Sequence, residues 1–251
     1  MANPKMTKLS HSIHIMLTGK GGVGKSTATS MLLEHMQNRF GELAKGYDTD
    51  TENKTLTQYR QLPVEEIDVL DDLGTDIDKS KFDNMISAVI EVPGVHVIDN
   101  GANTFRPMIA YLINEGTPQI AQEYGTPIYV HCVIAGGQIK DTVASFEMMA
   151  QAFQDTAIKF VLWINENAGD AILDDVPVLD HPKLRGYAHQ IAGIVVIPKG
   201  DELARTKVRA LIESRQTYNS YMTDPANNLA ARCRIKRALG SVFEQLDAVD
   251  W

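Results

Sequence analysis

Cysteine is scarce in this chain, and long apolar runs are absent from it. Only Cys132 and Cys233 occur, and they stand too far apart to form the short Cys spacings of zinc sites or redox pairs. No apolar stretch approaches the roughly 18 residues that span a bilayer, and the polar first residues carry no signal-peptide core. The sequence therefore predicts a cytoplasmic protein, and we interpret its two thiols as buried or incidental.

Pro/Gly/Ser-rich linkers, internal repeats and low-complexity tracts are absent as well. The chain has 251 residues, of which 44% are hydrophobic and 22% charged, so it can bury a substantial core and falls in the size range of one α/β domain. We therefore expect a single domain over 1–251, with one loop-rich stretch at 165–186.

Charge is distributed unevenly along the chain, whose net charge is -8. The segment 65–83 has eight acidic residues and two lysines, and we interpret it as a solvated acidic face. The segment 199–237 has nine basic and four acidic residues, so it carries +5 while the rest carries -13. This charge balance is unlike that of a protein whose whole surface binds nucleic acid, but it permits a local anionic partner.

Short apolar or β-branched runs alternate with longer segments of helical period. This alternation predicts an α/β fold, doubly wound, with a mostly parallel central sheet flanked by helices. Several runs are apolar nearly throughout, as expected for strands that helices cover on both faces. The predicted strands are 13–18, 44–48, 67–70, 95–99, 128–134, 158–164 and 191–197, and the predicted helices are 25–39, 80–91, 105–115, 138–153, 201–214 and 225–248.

A glycine-rich segment between the first predicted strand and helix carries the strongest signal. Residues 19–27 read Gly-Lys-Gly-Gly-Val-Gly-Lys-Ser-Thr and fill the Walker A pattern. Glycines let successive backbone N–H groups converge on phosphates, and the helix N-terminus adds partial positive charge. The segment therefore predicts ATP or ADP binding, with these contacts: Gly19, Gly21, Gly22, Val23, Gly24, Lys25, Ser26 and Thr27.

Three side chains are predicted to handle the phosphates and Mg²⁺. Lys25 is expected to reach the β- and γ-phosphates, and Ser26 to ligate Mg²⁺. Asp99 ends a predicted strand beside this loop, where a carboxylate can hold Mg²⁺ through water. Thr27 is expected to bond the α-phosphate.

A second lysine, Lys20, makes the loop resemble that of the ParA/MinD/nitrogenase iron protein group, which are deviant Walker A (SIMIBI-type) P-loop ATPases. The resemblance implies a homodimer formed on ATP binding, with Lys20 acting in trans on the partner's nucleotide. It also implies that Asp48 and Asp50 form a switch I region. Asp50 would orient or deprotonate the attacking water and Asp48 would lie nearer the metal, although these two assignments can be exchanged.

Two other regions are compared with the same family. Asn100 and Gly101 follow Asp99 where partition proteins commonly have a proline-containing run, so Gly101 is expected to offer its N–H to the γ-phosphate from an altered loop, with slow turnover. Asn165 and Pro198 end later strands and resemble segments that frame adenine. The Asn165 amide can bond adenine through both donor and acceptor, although Asn and Pro are also ordinary turn residues.

Three segments resemble conjugal-transfer and plasmid-stability ATPases of the TraL/StbB type, and the likeness spans nearly the whole chain. It implies a slow, partner-stimulated, Mg²⁺-dependent ATPase that positions DNA or the transfer machinery. A partner protein of the plasmid system and nonspecific DNA are the candidate partners. The segments are 98–102, 130–138 and 243–248.

Two segments have several interpretations. The stretch 229–246 alternates basic and apolar residues, which predicts an amphipathic helix that packs on the sheet, binds DNA phosphates or docks on a membrane. Glu244, Asp247 and Asp250 would repel anionic lipid, so membrane contact is not expected. Gly136 and Gly137 are interpreted as a structural or dimer-interface turn, with contact to a nucleotide across the dimer as the alternative.

Two other functions remain as alternatives to an ATP-switched dimer. One is a small-substrate, ATP-dependent ligase resembling dethiobiotin synthetase, which would need a carboxylic or amine substrate for turnover. The other is a nucleotide-binding scaffold with little hydrolysis, which the presence of Lys20, Lys25, Asp50 and Asp99 disfavours.

Overall fold

The structure is a computed structural model that describes residues 9–74 and 76–251. Its elements are, in chain order, β1 (Ser12–Met16), α1 (Lys25–Phe40), β2 (Ala44–Asp48), β3 (Val64–Glu66), α2 (Ser80–Glu91), β4 (Val95–Asp99), α3 (Phe105–Asn114), α4 (Thr117–Glu123), β5 (Ile128–Ala135), α5 (Ile139–Ala152), β6 (Lys159–Asn165), β7 (Ile172–Leu173), β8 (Val176–Pro177), α6 (Pro182–Arg185), β9 (Ile191–Ile197), α7 (Glu202–Glu213), α8 (Tyr218–Thr223) and α9 (Leu229–Ala248).

Seven strands form one sheet in the order β3-β2-β4-β1-β5-β6-β9, and every neighbouring pair is parallel. The predicted doubly wound α/β fold is thus confirmed. β1 lies between β4 and β5, so the strand order reverses there, and ligands of such sheets bind beyond the carboxyl ends of the strands at this point. The register places Met16 beside Asp99 and Asp99 beside Asp48 at that edge.

Apolar layers cover both faces of the sheet, which explains why most strands are apolar throughout. On one face, strand residues such as Ile15 pack with Phe82 of α2 and Phe146 of α5. On the other face, Trp163 packs in a layer with Leu32 of α1 and Leu239 of α9. The sheet therefore fixes the carboxyl ends of its strands between two rigid helical layers.

The predicted elements agree with the structure except at the third strand. We expected a strand over 67–70, whereas β3 spans Val64–Glu66 and Leu70 makes only an isolated bridge to Ile77. β3 lies at the edge of the sheet, and its two glutamates are exposed, so it lacks the apolar run that identifies buried strands. The short elements α4, α6, α8, β7 and β8 were also not predicted.

A chain of hydrogen bonds crosses the buried layer beneath α1 and α9. Trp163 Nε1 donates to His131 Nδ1 over 3.0 Å, and the His131 and His14 rings bond each other at 3.0 Å. The His131 Nε2–H must therefore donate to His14, whose other nitrogen donates to Ser12 Oγ at 3.0 Å. Burial lowers the pKa of His131 to about 3 and that of His14 well below its usual range, so both rings are neutral structural groups.

The two cysteines have different surroundings: Cys132 is buried and Cys233 is exposed. Burial raises the pKa of the Cys132 thiol to about 12, so it stays protonated and inert. Among the described residues, no helix is both long and apolar enough to cross a lipid bilayer.

Candidate functional site

The glycine-rich loop connects β1 to α1. Its glycines are explained by backbone conformation at two positions and by close packing at a third. Gly22 and Gly24 have φ values of +72° and +99°, which favour glycine. A Cβ added to Gly19 would lie 2.8 Å from the Phe105 ring, so close packing requires glycine there. A Cβ added to Gly21 would meet nothing within 4 Å, so only a ligand above the loop would use the space it leaves.

The loop forms the floor of a cavity of about 350 Å³ at the carboxyl edge of the sheet. The cavity contains seven of the predicted site residues and four that the sequence analysis missed. Three of the missed residues lie within five positions after Asp50, and Ala102 directly follows Gly101; this closeness in sequence is the only signal that could have identified them. The lining residues are Gly21, Gly22, Gly24, Lys25, Ser26, Thr27 and Asp50, together with Glu52, Asn53, Thr55 and Ala102.

Lys25 is the cation of this cavity. Its side chain is buried, and Nζ donates to the Lys20 carbonyl over 3.0 Å. Burial lowers the pKa of Lys25, whereas Asp99 and Asp50 oppose that change and favour the charged form. A mostly desolvated ammonium held by one neutral carbonyl is well suited to exchange that partner for a phosphate oxygen.

Lys20 lies outside the lining of the cavity and is exposed. Its Nζ is 3.0 Å from Asp141 Oδ2 on α5, and both side chains are open to solvent. Exposed pairs of this kind contribute only about 0 to 1 kcal/mol, so the lysine can leave Asp141 at little cost. The action of Lys20 on a partner's nucleotide stays a prediction.

Asp99, at the end of β4, has a buried carboxylate with one unused oxygen. Thr29 donates to Oδ1 over 2.8 Å, while Oδ2 has no hydrogen-bond partner within the described part of the chain. Burial, with a smaller contribution from the Asp48 carboxylate, raises the pKa of Asp99 to about 7, although Ser26, Thr29 and Lys25 oppose the rise. A buried oxygen without a partner is costly, and a hydrated Mg²⁺ ion would satisfy it.

Asp48 and Asp50 hold the backbone of the loop that follows β2. Asp48 Oδ1 accepts from the N–H of Asp50 and Oδ2 from that of Thr57, each over 3.1 Å. Asp50 Oδ1 accepts from the N–H groups of Glu52 and Asn53 at 2.9 and 3.1 Å. Asp50 lines the cavity and Asp48 does not, so the two carboxylates have different positions although their roles stay predictions.

Side-chain hydrogen bonds of two asparagines connect the loop after β2, which is the predicted switch I, to the segment that follows Asp99. Thr49 Oγ1 donates to Asn100 Oδ1 over 2.9 Å, and Asn103 Nδ2 donates to Thr51 Oγ1 over 2.5 Å. A Cβ added to Gly101 would lie 2.6 Å from Asn103 Oδ1, so glycine is required for this close approach. The side-chain bonds thus order a segment that lacks the prolines expected from the family pattern.

The amide of Asn165, predicted to bond adenine through both its donor and its acceptor, already makes one hydrogen bond within the protein. Nδ2 already donates to the Val23 carbonyl over 2.9 Å, and only the buried Oδ1 has no partner among the described residues. Asn165 is paired in register with Ile197, so Pro198 follows on the neighbouring strand. Neither Asn165 nor Pro198 lines the 350 Å³ cavity. Both adenine contacts therefore stay predictions.

Gly136 and Gly137 pack against another loop and leave no room for a ligand there. A Cβ added to Gly136 would lie 2.0 Å from the Gly169 carbonyl oxygen, and one added to Gly137 would lie 2.6 Å from that of Ala168. The turns after β5 and β6 are therefore in direct backbone contact. This packing agrees with the structural interpretation of the two glycines.

Comparison with known proteins identifies the family. A protein TraL of Escherichia coli is 30% identical over 238 residues, which is 94% of this chain and 97% of that protein. A second Escherichia coli protein TraL is 31% identical over 244 residues, with the same coverage of 94% and 97%. The chain belongs to the TraL family. The predicted resemblance to TraL-type proteins is confirmed.

A solved structure and a family model match the fold of the chain. The MinC:MinD cell division protein complex of Aquifex aeolicus matches this TraL-family protein with a TM-score of 0.51, at 13% identity, over 94% of this chain and 96% of that chain. A family model described as RNA helicase matches residues 15–110, which include the glycine-rich loop, Asp48, Asp50 and Asp99. The TraL-family protein therefore has a P-loop nucleotide-binding fold.

Proposed function

We propose that this TraL-family protein is a Mg²⁺-dependent ATPase that dimerises on binding ATP and positions DNA or the transfer machinery in plasmid conjugation or stability. The observation that carries the proposal is the arrangement around one cavity. A glycine-rich floor and the desolvated Lys25 line this cavity. Asp99 does not line it, but its carboxylate interacts with Ser26 and Lys25, which do, and its buried Oδ2 has no partner among the described residues. The likeness to conjugal-transfer ATPases supports the plasmid setting.

The residues present fit a nucleotide with Mg²⁺. Lys25 would exchange the Lys20 carbonyl for phosphate oxygens, and the N–H groups of the loop would hold the remaining charge. Ser26 and Asp99 are the proposed metal-binding side chains. Mg²⁺ commonly binds through one or two carboxylates together with substrate phosphates and water, so these two side chains would suffice for it. Bound Mg²⁺ would neutralise charge on the β- and γ-phosphates.

Asp50 is the proposed residue for positioning the attacking water. Its Oδ1 accepts two backbone N–H groups, which fixes the carboxylate at the wall of the cavity. Its Oδ2 accepts no hydrogen bond from the described residues and is left to bind water. A carboxylate with one oxygen fixed by hydrogen bonds and the other oxygen free to accept a proton from water suits this role.

Free positive charge on α7 and α9 supports an anionic partner such as nonspecific DNA. Lys199 and Arg237 are neutralised by Asp170 and Asp201 at 2.7 and 3.0 Å. Lys199 precedes α7 and Arg237 lies on α9, whereas five further basic side chains of these two helices make no ion pair or hydrogen bond within the described residues. Unpaired cations of this kind bind phosphate backbones with release of counterions. The five are Arg205, Lys207, Arg209, Arg234 and Lys236.

The test is light scattering on a size-exclusion column with ADP-Mg²⁺ or ATP-Mg²⁺, followed by addition of nonspecific duplex DNA. Wild type is expected to be monomeric with ADP and dimeric with ATP, and Asp50→Ala to remain dimeric because it binds ATP without hydrolysing it. Lys25→Ala should not respond to nucleotide, and Lys20→Ala should bind ATP but dimerise poorly. A protein indifferent to nucleotide and DNA would contradict the proposal and favour the ligase or the scaffold.

A further inference from the structure

A short path of hydrogen bonds leads from the wall of the nucleotide cavity to α7. Asn53 lines the cavity, and its carbonyl accepts from Gln58 Nε2 over 3.3 Å. The other end of the same amide, Gln58 Oε1, accepts from Arg215 Nε over 3.0 Å. Arg215 stands two residues beyond the end of α7, at Glu213. One glutamine side chain therefore connects the cavity wall to the end of this helix.

Gln58 is itself held in place by switch I. It belongs to the 3-10 turn Leu56–Gln58, and the N–H of Thr57 in that turn donates to Asp48 Oδ2. The next residue, Tyr59, is buried, and the Arg215 guanidinium lies 6.0 Å from the centre of its ring. The turn thus cannot shift without disturbing both the Asp48 carboxylate and the Arg215 contacts.

The backbone of Arg215 has a conformation that arginine rarely adopts. Its φ is +52°, in the left-handed region that favours glycine. The guanidinium also bonds the Ile212 carbonyl through Nη1 over 2.9 Å, so one side chain closes the end of α7 and contacts Gln58. Glycine would form this turn with less strain, but only a side chain can make the two contacts.

We propose that Arg215 is a positioning residue that couples switch I to α7, so that a nucleotide held against Asn53 also orders α7. This helix carries Arg205, Lys207 and Arg209, which are free to meet an anionic partner. The inference rests on the proposed function for its nucleotide. It adds a physical route by which the occupied cavity would present the basic helix to a partner.

The experiment is amide hydrogen exchange of the full chain, with and without ATP-Mg²⁺, followed in peptides that cover 202–216. ATP is expected to slow exchange there in the wild type, because the nucleotide fixes Asn53 and, through Gln58, the end of α7. Arg215→Gly should lose this response, and it should fold at least as well because glycine relieves the positive φ. Gln58→Ala should lose the response as well, since it removes the other half of the contact.

The matched control is Arg209→Ala, which removes an exposed arginine of α7 that does not contact Gln58. It should keep the full response, and all these variants should bind a fluorescent ATP analogue within about threefold of the wild type. A full α7 response in Arg215→Gly would overturn the coupling, as would wild type that binds ATP without any response in α7. Failure of the wild type to bind the ATP analogue would instead overturn the proposed function.

Discussion

At the scale of single residues, the predicted contact of Asn165 with the base has a consequence for the choice between adenine and guanine. Nδ2 donates to the Val23 carbonyl, so the buried Oδ1 is the atom of the amide without a partner among the described residues, and it can only accept. Adenine offers an amino group at position 6 of its ring, whereas guanine presents a carbonyl there. If Asn165 meets the base, its oxygen therefore favours adenine and repels guanine.

We predict that ATP binds more tightly than GTP. Asn165→Ala should lower the ratio of ATP affinity to GTP affinity by up to about tenfold, which is the effect of one hydrogen bond. Competition of ATP and GTP against a fluorescent nucleotide measures the ratio. The matched control is Asn167→Ala, two residues farther along, which should leave the ratio unchanged. An unchanged ratio in Asn165→Ala would show that this side chain does not read the base.

The buried histidines predict how stability depends on pH. Burial holds the folded-state pKa of His131 at about 3, whereas the unfolded chain has the ordinary value of 6.5. Below pH 6.5 the histidine of the unfolded chain therefore binds a proton, whereas the same residue in the folded chain stays neutral. The free energy of unfolding consequently falls as the pH falls. His14 acts in the same direction, since its pKa is also lowered by burial.

We predict that His131 alone lowers the free energy of unfolding by roughly 1.4 kcal/mol between neutral pH and pH 5.5. His131→Gln keeps an acceptor for Trp163 and a donor for His14 but cannot titrate, so its stability should fall less over the same range. Urea unfolding at several pH values measures both proteins. His189→Asn, which changes an exposed ring, is the control, and equal pH slopes for wild type and His131→Gln would rule the mechanism out.

At the scale of elements, the helices and strands that could be predicted from the sequence are those with a buried apolar face. β4 was predicted with its observed bounds because it is a buried apolar run between loops, and α2 because its apolar residues recur with helical period. β3 was misplaced because an edge strand with two exposed glutamates has no such pattern. α4 and α8 have only 7 and 6 residues, too few for a helical period to be recognised.

The same limit applies to the candidate site. The glycine-rich loop and Asp99 were found because their signals lie within a few consecutive residues. Thr29, which holds Asp99, and Gln58, which bonds Arg215, were missed because these partners are 70 and 157 residues apart in the chain. Contacts of that kind are set by the order of strands and the packing of helices, which no local pattern records.

Substitutions at two glycines should have different effects, one on the stability of the protein and the other on nucleotide binding. A Cβ at Gly136 would overlap the Gly169 backbone, so Gly136→Ala should lower the free energy of unfolding by about 2 kcal/mol or more. A Cβ at Gly21 meets nothing, so Gly21→Ala should change stability by less than about 0.5 kcal/mol while weakening nucleotide binding at the loop. Thermal unfolding and nucleotide titration measure the two effects, and equal losses of stability would contradict the packing argument.

At the scale of the whole molecule, charge is separated along the sheet. The acidic segment begins at β3, one edge strand, whereas basic residues lie on α9, in the layer that also covers β9, the opposite edge strand. The net charge of -8 would repel nucleic acid from most of the surface. If the protein binds DNA as proposed, we expect the phosphate backbone to meet the unpaired cations of α7 and α9 rather than the acidic edge at β3.

This separation predicts how DNA binding should depend on salt. Each phosphate neutralised by the protein contributes a slope of about -0.9 to the plot of log affinity against log salt concentration. If Arg205 and Arg209 each contact a phosphate, the double variant Arg205→Ala/Arg209→Ala should make the slope shallower by about 1.8. Arg237→Ala should change the slope less, because Asp201 already neutralises that guanidinium at 3.0 Å.

Fluorescence anisotropy with a labelled duplex, in ATP-Mg²⁺ and at several salt concentrations, measures the slope for the wild type and both variants. An unchanged slope in the double variant would exclude these two arginines from the contact and leave Lys207 of α7, and Arg234 and Lys236 of α9, as the cations to test.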